Sequence, residues 1–144
     1  MITLQRLKWS NVFSYGPDNE LDLSESNVTQ IIGTNGMGKS SIPLIVEEAL
    51  YNKNSKGIKK ADIPNRYLKD GYKIELEFTK DAKTYVVKIN RKSSIKIALL
   101  EDGVDISSHT ATNTYKTLQD IIGIDFKTFS QLVYQNPNTS LQFL

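Results

Sequence analysis

Apolar and polar residues alternate over residues 73–79. Ile74, Leu76 and Phe78 stand between Lys73, Glu75, Glu77 and Thr79, the period-2 signature of a strand with one buried face. Beyond Lys80-Asp-Ala-Lys83, which reads as a turn, Tyr85, Val87 and Ile89 continue the alternation as the return strand of a hairpin. A second hairpin is predicted where residues 95–100 and 104–106 flank Asp102-Gly103. The run is an antiparallel meander, not a repeat of strand–helix–strand units. Near the start, apolar residues fall at 2, 4, 7 and 9, and the single slip in alternation predicts a strand with a bulge. Trp9 reads as a core or half-buried aromatic. Residues 11–19, with Ser14, Gly16, Pro17, Asp18 and Asn19, form a loop by composition, and residues 21–23 a short strand.

The period changes to that of a helix in two places. Ile42, Ile45, Val46, Ala49 and Leu50 make a core-facing stripe, with Pro43 predicting a kink or a tightened first turn. Tyr115, Leu118, Ile121 and Ile122 make another, preceded by Thr/Asn caps and stopped by Gly123. Asp125 then caps a short helix with Phe126, Phe129 and Val133 on one face, which delivers Tyr134-Gln135-Asn136-Pro137 into a loop.

Between the first strands and the first helix lies the stretch with the clearest chemistry. A β-branched run, residues 28–32, is predicted to be a strand that enters Gly33-Thr-Asn-Gly-Met-Gly-Lys-Ser-Ser41. Gly33, Gly38, Lys39 and Ser40 fit the spacing G-x-x-x-x-G-K-[ST] of a phosphate-binding loop, which arises by chance in roughly one chain of this length in two hundred. Glycines at 33, 36 and 38 allow positive φ, so that consecutive backbone N–H groups converge on one concavity. The following helix directs its positive end to the same place. Lys39 is then placed to reach the β- and γ-phosphates of a nucleotide, and the Ser40 hydroxyl to ligate Mg²⁺. Asn35, Gly36, Met37, Gly38, Lys39, Ser40 and Ser41 are the candidate nucleotide-binding residues.

Composition narrows the picture further. The 144 residues fit one domain able to bury a core, without cysteine and with a single histidine, His109, read as a solvated loop residue. Thiolate and His-rich metal sites are thereby excluded. No apolar run approaches 18 residues, so neither a membrane span nor a secretory leader is expected. A net charge of +2 carries no nucleic-acid argument by itself. The local cluster Lys53, Lys56, Lys59 and Lys60 does offer a candidate DNA-backbone contact, against the alternative of a solvated loop.

The order of elements resembles the N-terminal lobe of an ATP-binding-cassette ATPase of the SMC-like type. It most resembles the ATPase subunit of the recombination and DNA-repair nuclease complex in its phage form. The residues that carry the likeness are Leu7-Lys-Trp-Ser-Asn11 with Phe13-Ser14, residues 31–41, and Phe129-Ser-Gln-Leu-Val-Tyr-Gln135. The fold class implied is an α/β P-loop NTPase, an ABC-ATPase-like lobe with an antiparallel β meander that forms an incomplete head domain over residues 1–144. By the same resemblance Gln135 ligates Mg²⁺ and helps place the attacking water, so that Lys39 and Gln135 are the candidate catalytic residues. Phe13 and Ser14 approach the nucleotide. Phe13 stands where cellular members usually carry a basic residue, and an adenine could stack on its ring instead.

Residues 42–144 contain neither a Walker B strand ending in Asp-Glu nor a signature Ser-Gly-Gly; Leu99-Leu-Glu-Asp102 is too short and sits at a hairpin. The expectation is therefore a fragment that holds most of the phosphate pocket but hydrolyses little ATP without a second, C-terminal lobe. The partners implied are that lobe, a second copy of the ATPase in a head dimer, a nuclease subunit and double-stranded DNA, in the bacterial host cytoplasm, with no membrane. Three other readings stay open: another ABC-type ATPase (RecF- or SMC-like, or a transporter), a nucleotide-sensing scaffold without hydrolysis, and a structural domain with a chance loop.

Overall fold

The computed structural model describes residues 2–11, 19–22, 42–52, 71–92, 94–129 and 142–143. Seven strands and two helices lie among them. The strands are β1 (Ile2–Ser10), β2 (Asn19–Asp22), β3 (Tyr72–Lys80), β4 (Lys83–Arg91), β5 (Ile95–Glu101), β6 (Val104–Asp105) and β7 (Gln142–Phe143). The helices are α1 (Ile42–Tyr51) and α2 (Ala111–Ile122). All seven strands join one antiparallel sheet in the order β2-β1-β3-β4-β5-β6, with β7 beside β1 as well.

The period-2 pattern becomes rows across this sheet. Trp9, Ile74, Ile89 and Ile97 are directly opposed along one row, and Leu7, Leu76, Val87 and Leu99 along the next. Leu4, Phe78 and Tyr85 form a third, with the Phe78 and Tyr85 rings stacked at 5.2 Å between centroids. These side chains share one face and one core with α1, α2 and Phe129. The slip foreseen in β1 is a register shift between Leu4 and Arg6. It keeps both Leu4 and Leu7 inward although three positions separate them.

The turns follow their residues. Asp81 and Ala82 both have positive φ, 52° and 65°, as do Asp102 and Gly103 at 48° and 84°, the two-residue geometry that matches strand twist. Asp102 also fastens the second hairpin to β4: its carboxylate accepts from the Thr84 N–H at 2.9 Å, and its own N–H donates to the Thr84 carbonyl at 2.8 Å. Helix α2 starts at Thr110, whose hydroxyl accepts from the Asn113 N–H, and ends at Gly123 with φ 79°. Residues 126–129 form one helical turn capped by Asp125, whose carboxylate accepts from the Thr128 N–H at 2.7 Å.

The structure differs from these expectations, or adds to them, in three places. The second strand starts at Asn19, two residues before the expected Leu21, because pairing with β1 extends to Trp9 opposite Asn19, and the Asn19 side chain donates to the Trp9 carbonyl; Leu23 lies outside the described residues. Helix α1 has no solvated polar face over its described side chains: Glu47 and Glu48 are as buried as Ile45 and Leu50. It packs against both the sheet and α2, and no helical period reveals such burial. The third is an addition. β7 pairs with Ile2 and Thr3, a contact between the two ends of the chain that a two-residue strand does not advertise. The strand expected at 28–32, the turn of helix preceding Ile42 and Val133 lie outside the described residues.

Candidate nucleotide site and its supports

Every residue singled out for nucleotide, metal or DNA contact lies outside the described residues: Phe13, Ser14, Gly33 through Ser41, Lys53, Lys56, Lys59, Lys60 and Gln135. What the structure describes is the frame on either side of them. Helix α1 is continuous from Ile42, the residue after Ser41, and a helix follows the Gly-Lys-Ser pattern as the motif requires. Its C-terminal end is anchored by three separate contacts.

The first runs through buried polar groups. Arg91 Nε donates to the Tyr72 hydroxyl at 3.1 Å, and its Nη2 donates to Asn52 Oδ1 at 3.2 Å. Glu48 lies close enough to Tyr72 to oppose ionisation of its phenol. Burial, with Glu48 adding to it, pushes the Tyr72 phenol up to about 12 in spite of Arg91. Asn52 itself has φ 57° and donates its N–H to the Glu48 carbonyl, ending the helix in a left-handed residue.

The second contact comes from α2, where the Tyr115 hydroxyl donates to the Glu48 carbonyl at 3.4 Å. The third is aromatic. Tyr51, the last residue of α1, donates its hydroxyl to the Ile124 carbonyl at 3.0 Å and packs against Phe126 and Phe129 at 5.6 and 5.5 Å between centroids.

The exit of β1, which leads toward Phe13 and Ser14, is held as well. Asn11 has φ 61° and is buried, its side-chain amide donates to the Gly71 carbonyl, and its Oδ1 finds no hydrogen-bond partner among the described residues. Gly71 is required there: φ is 75°, and a Cβ would lie 2.0 Å from the Arg91 carbonyl oxygen.

On the opposite, solvent-facing side of the sheet is a depression of about 700 Å³, whose lining includes Lys8, Lys73, Lys88, Lys96, Glu20 and Glu75. Lys8 and Lys88 both reach Glu75, at 4.0 and 3.6 Å, and Arg6 pairs with Glu20 at 3.3 Å. Lys73 and Lys96 flank Asn90 on neighbouring strands and have no carboxylate partner among the described residues. Residues that the sequence did not single out, namely Tyr51, Asn52, Tyr72 and Arg91, prove to be what holds the end of α1. Their only sequence signal is their place beside the apolar stripes.

Comparison with known proteins adds to this geometry. A family profile described as AAA domain matches residues 6–142. The probable exonuclease subunit 2 of Escherichia phage T5 is 46% identical over 144 residues, which is 99% of this chain and 24% of that protein. The DNA double-strand break repair Rad50 ATPase of Methanococcus maripaludis is 29% identical over 107 residues, 74% of this chain and 11% of its own length. The chain thus spans about a quarter or less of these relatives. Among solved structures, the recombination mediator protein RecF-ATPrS of the RecFOR pathway superposes with a TM-score of 0.55 over 74% of this chain and 28% of that one, at 13% identity. That likeness concerns the fold alone.

Proposed function

The chain belongs to the AAA-domain family, and on that premise we propose that it is the ATP- and Mg²⁺-binding lobe of an ATPase that drives a DNA-repair nuclease. The observation that carries the proposal is the helix described from Ile42 onward, directly after the sequence Gly33–Ser41, and locked to an antiparallel sheet, in a family match that includes both the phosphate loop and Gln135. The backbone amides of residues 35–41 and the Lys39 ammonium would bind the terminal phosphates. A serine hydroxyl and a glutamine amide oxygen are the hard, neutral donors that Mg²⁺ accepts beside phosphate oxygens, so Ser40 and Gln135 fit the ion. Gln135 would also orient the attacking water; Phe13 and Ser14 would line the nucleotide.

The phage relative is called an exonuclease subunit, which supports a nuclease subunit as partner; the Rad50 likeness supports a second ATPase copy closing over the nucleotide. Residues 1–144 would be the first lobe of a head completed by a C-terminal lobe. Double-stranded DNA is the substrate that this reading implies. Charge for it is carried in sequence by the lysines at 53, 56, 59 and 60 and in the structure by the described sheet face with Lys73 and Lys96. No helix among the described residues is long and apolar enough to cross a membrane, and the host cytoplasm is the compartment this function implies.

The test is a titration of the full-length natural polypeptide with a non-hydrolysable ATP analogue, with and without Mg²⁺. Lys39→Ala should abolish binding in both conditions. Ser40→Ala and Gln135→Ala should remove only the part that depends on Mg²⁺. Undiminished binding by Lys39→Ala would sink the reading.

A further inference from the structure

The chain holds two Asp-Gly pairs, at residues 70–71 and 102–103. Such a pair carries a reaction of its own backbone. The glycine nitrogen can attack Cγ of the aspartate, because glycine has no side chain to block the approach. A new N–Cγ bond closes a five-membered succinimide as one water molecule leaves. Water then reopens the ring at either carbonyl. One opening restores aspartate. The other leaves isoaspartate, whose main chain runs through Cβ and Cγ and is longer by one methylene. Water is the sole co-reactant, and the mass is unchanged over the two steps.

Asp102 and Gly103 form the turn between β5 and β6, exposed and with positive φ at both residues, 48° and 84°. A Cβ built on Gly103 would meet nothing within 4 Å, so crowding offers no protection there. Two contacts to β4 do. The Asp102 carboxylate accepts from the Thr84 N–H at 2.9 Å, and the Asp102 N–H donates to the Thr84 carbonyl at 2.8 Å. Farther down the hairpin, the Leu99 N–H donates to the Ser107 hydroxyl at 2.7 Å and the Ile106 N–H to the Leu99 carbonyl at 2.8 Å. Closing the ring swings the carboxyl group toward Gly103, so it must first let go of Thr84.

We propose that Asp102-Gly103 is a backbone-isomerisation site that Thr84 keeps shut and that opens only when the hairpin tip lifts from β4. The change perpetuates itself. In isoaspartate Cγ has become a main-chain carbonyl, and the extra methylene breaks the two-residue turn, so the guarding contacts cannot re-form. The site is independent of any nucleotide chemistry of the chain.

The experiment ages the full-length natural polypeptide at neutral pH beside a synthetic peptide of residues 98–107. Mapping with a protease that cuts before aspartate but not before isoaspartate reads Asp102 apart from Asp70. Asp102 in the folded protein should isomerise at least about tenfold more slowly than in the peptide, a retardation of about 1.4 kcal/mol, within reach of two hydrogen bonds. In denaturing urea the protein should match the peptide. Thr84→Pro, which removes the donor to the carboxylate, should bring the folded-state rate to within about threefold of the peptide's. Should Thr84→Pro fail to fold, Ser107→Ala, which loosens the hairpin below the turn, should raise that rate at least about twofold.

Equal rates in folded protein and peptide overturn the proposal, since the hairpin then guards nothing. A slow folded-state rate that the folded variant leaves unchanged overturns the role of Thr84. No isoaspartate at Asp102 even in the peptide removes the site altogether.

Discussion

Arg91 and Asn52 meet at the end of α1: Nη2 of the arginine donates to Oδ1 of the asparagine at 3.2 Å, while Nε of the same guanidinium donates to the Tyr72 hydroxyl. One planar fork thus ties a helix terminus to two adjacent strands, which a lysine's single ammonium cannot do with the same geometry. Hydrogen bonds to charged groups contribute about 1.5–3 kcal/mol each, so Arg91→Met should lower unfolding stability by about 2 kcal/mol or more. Arg91→Lys should recover only part of it. The urea midpoint of the two variants checks both statements.

Two glycines with nearly the same φ make a paired prediction. Gly71→Ala places a methyl 2.0 Å from the Arg91 carbonyl oxygen, a backbone atom that cannot move aside. Gly103→Ala has the same kind of left-handed strain but meets nothing within 4 Å. The second should cost about 1–2 kcal/mol, the conformational term alone. The first should cost far more, to the point of preventing soluble expression. Equal costs would remove the close approach of β3 and β4 as the reason for a glycine at 71.

Alkaline pH should unfold the protein through its buried phenols. The Tyr72 hydroxyl is raised from the ordinary 10.0 to about 12, chiefly by burial; Tyr51 and Tyr115 are raised further, also by burial. The unfolded chain releases these protons first, so the stabilising difference is fully present below pH 10 and is lost as pH rises from about 10 to about 12. Tyrosinate absorbance should lag the free amino acid until the fold gives way. In Tyr72→Phe the alkaline limb of stability against pH should be shallower, although the variant starts lower because Arg91 Nε loses a partner.

The middle of the sheet should be the least tolerant place for truncation. Leu76 is fully buried between Leu7 and Val87, and Leu76→Ala should cost about 2–5 kcal/mol. Val104, 65% exposed in the short strand β6, is the control: Val104→Ala should stay within about 0.5 kcal/mol. Thermal unfolding of the two variants separates them.

The sequence by itself determined the elements whose causes are local. Alternation over residues 73–79 and 85–89 set β3 and β4 with the correct inward residues, and Asp102-Gly103 set the second hairpin. Thr110 and Gly123 bounded α2, and Asp125 opened the turn after it, because caps and left-handed stops act within a few positions of themselves. The phosphate-loop spacing, too, is local chemistry, and it was legible before any fold was known. Tertiary structure decided what depends on distant partners. The burial of Glu47 and Glu48, the fork of Arg91, the seat of Asn11 against Gly71 and the clamp of Tyr51 on Ile124 all join residues that sequence leaves tens of positions apart. Periodicity tells which way a side chain points along its own element. What stands opposite it is set only when the elements pack.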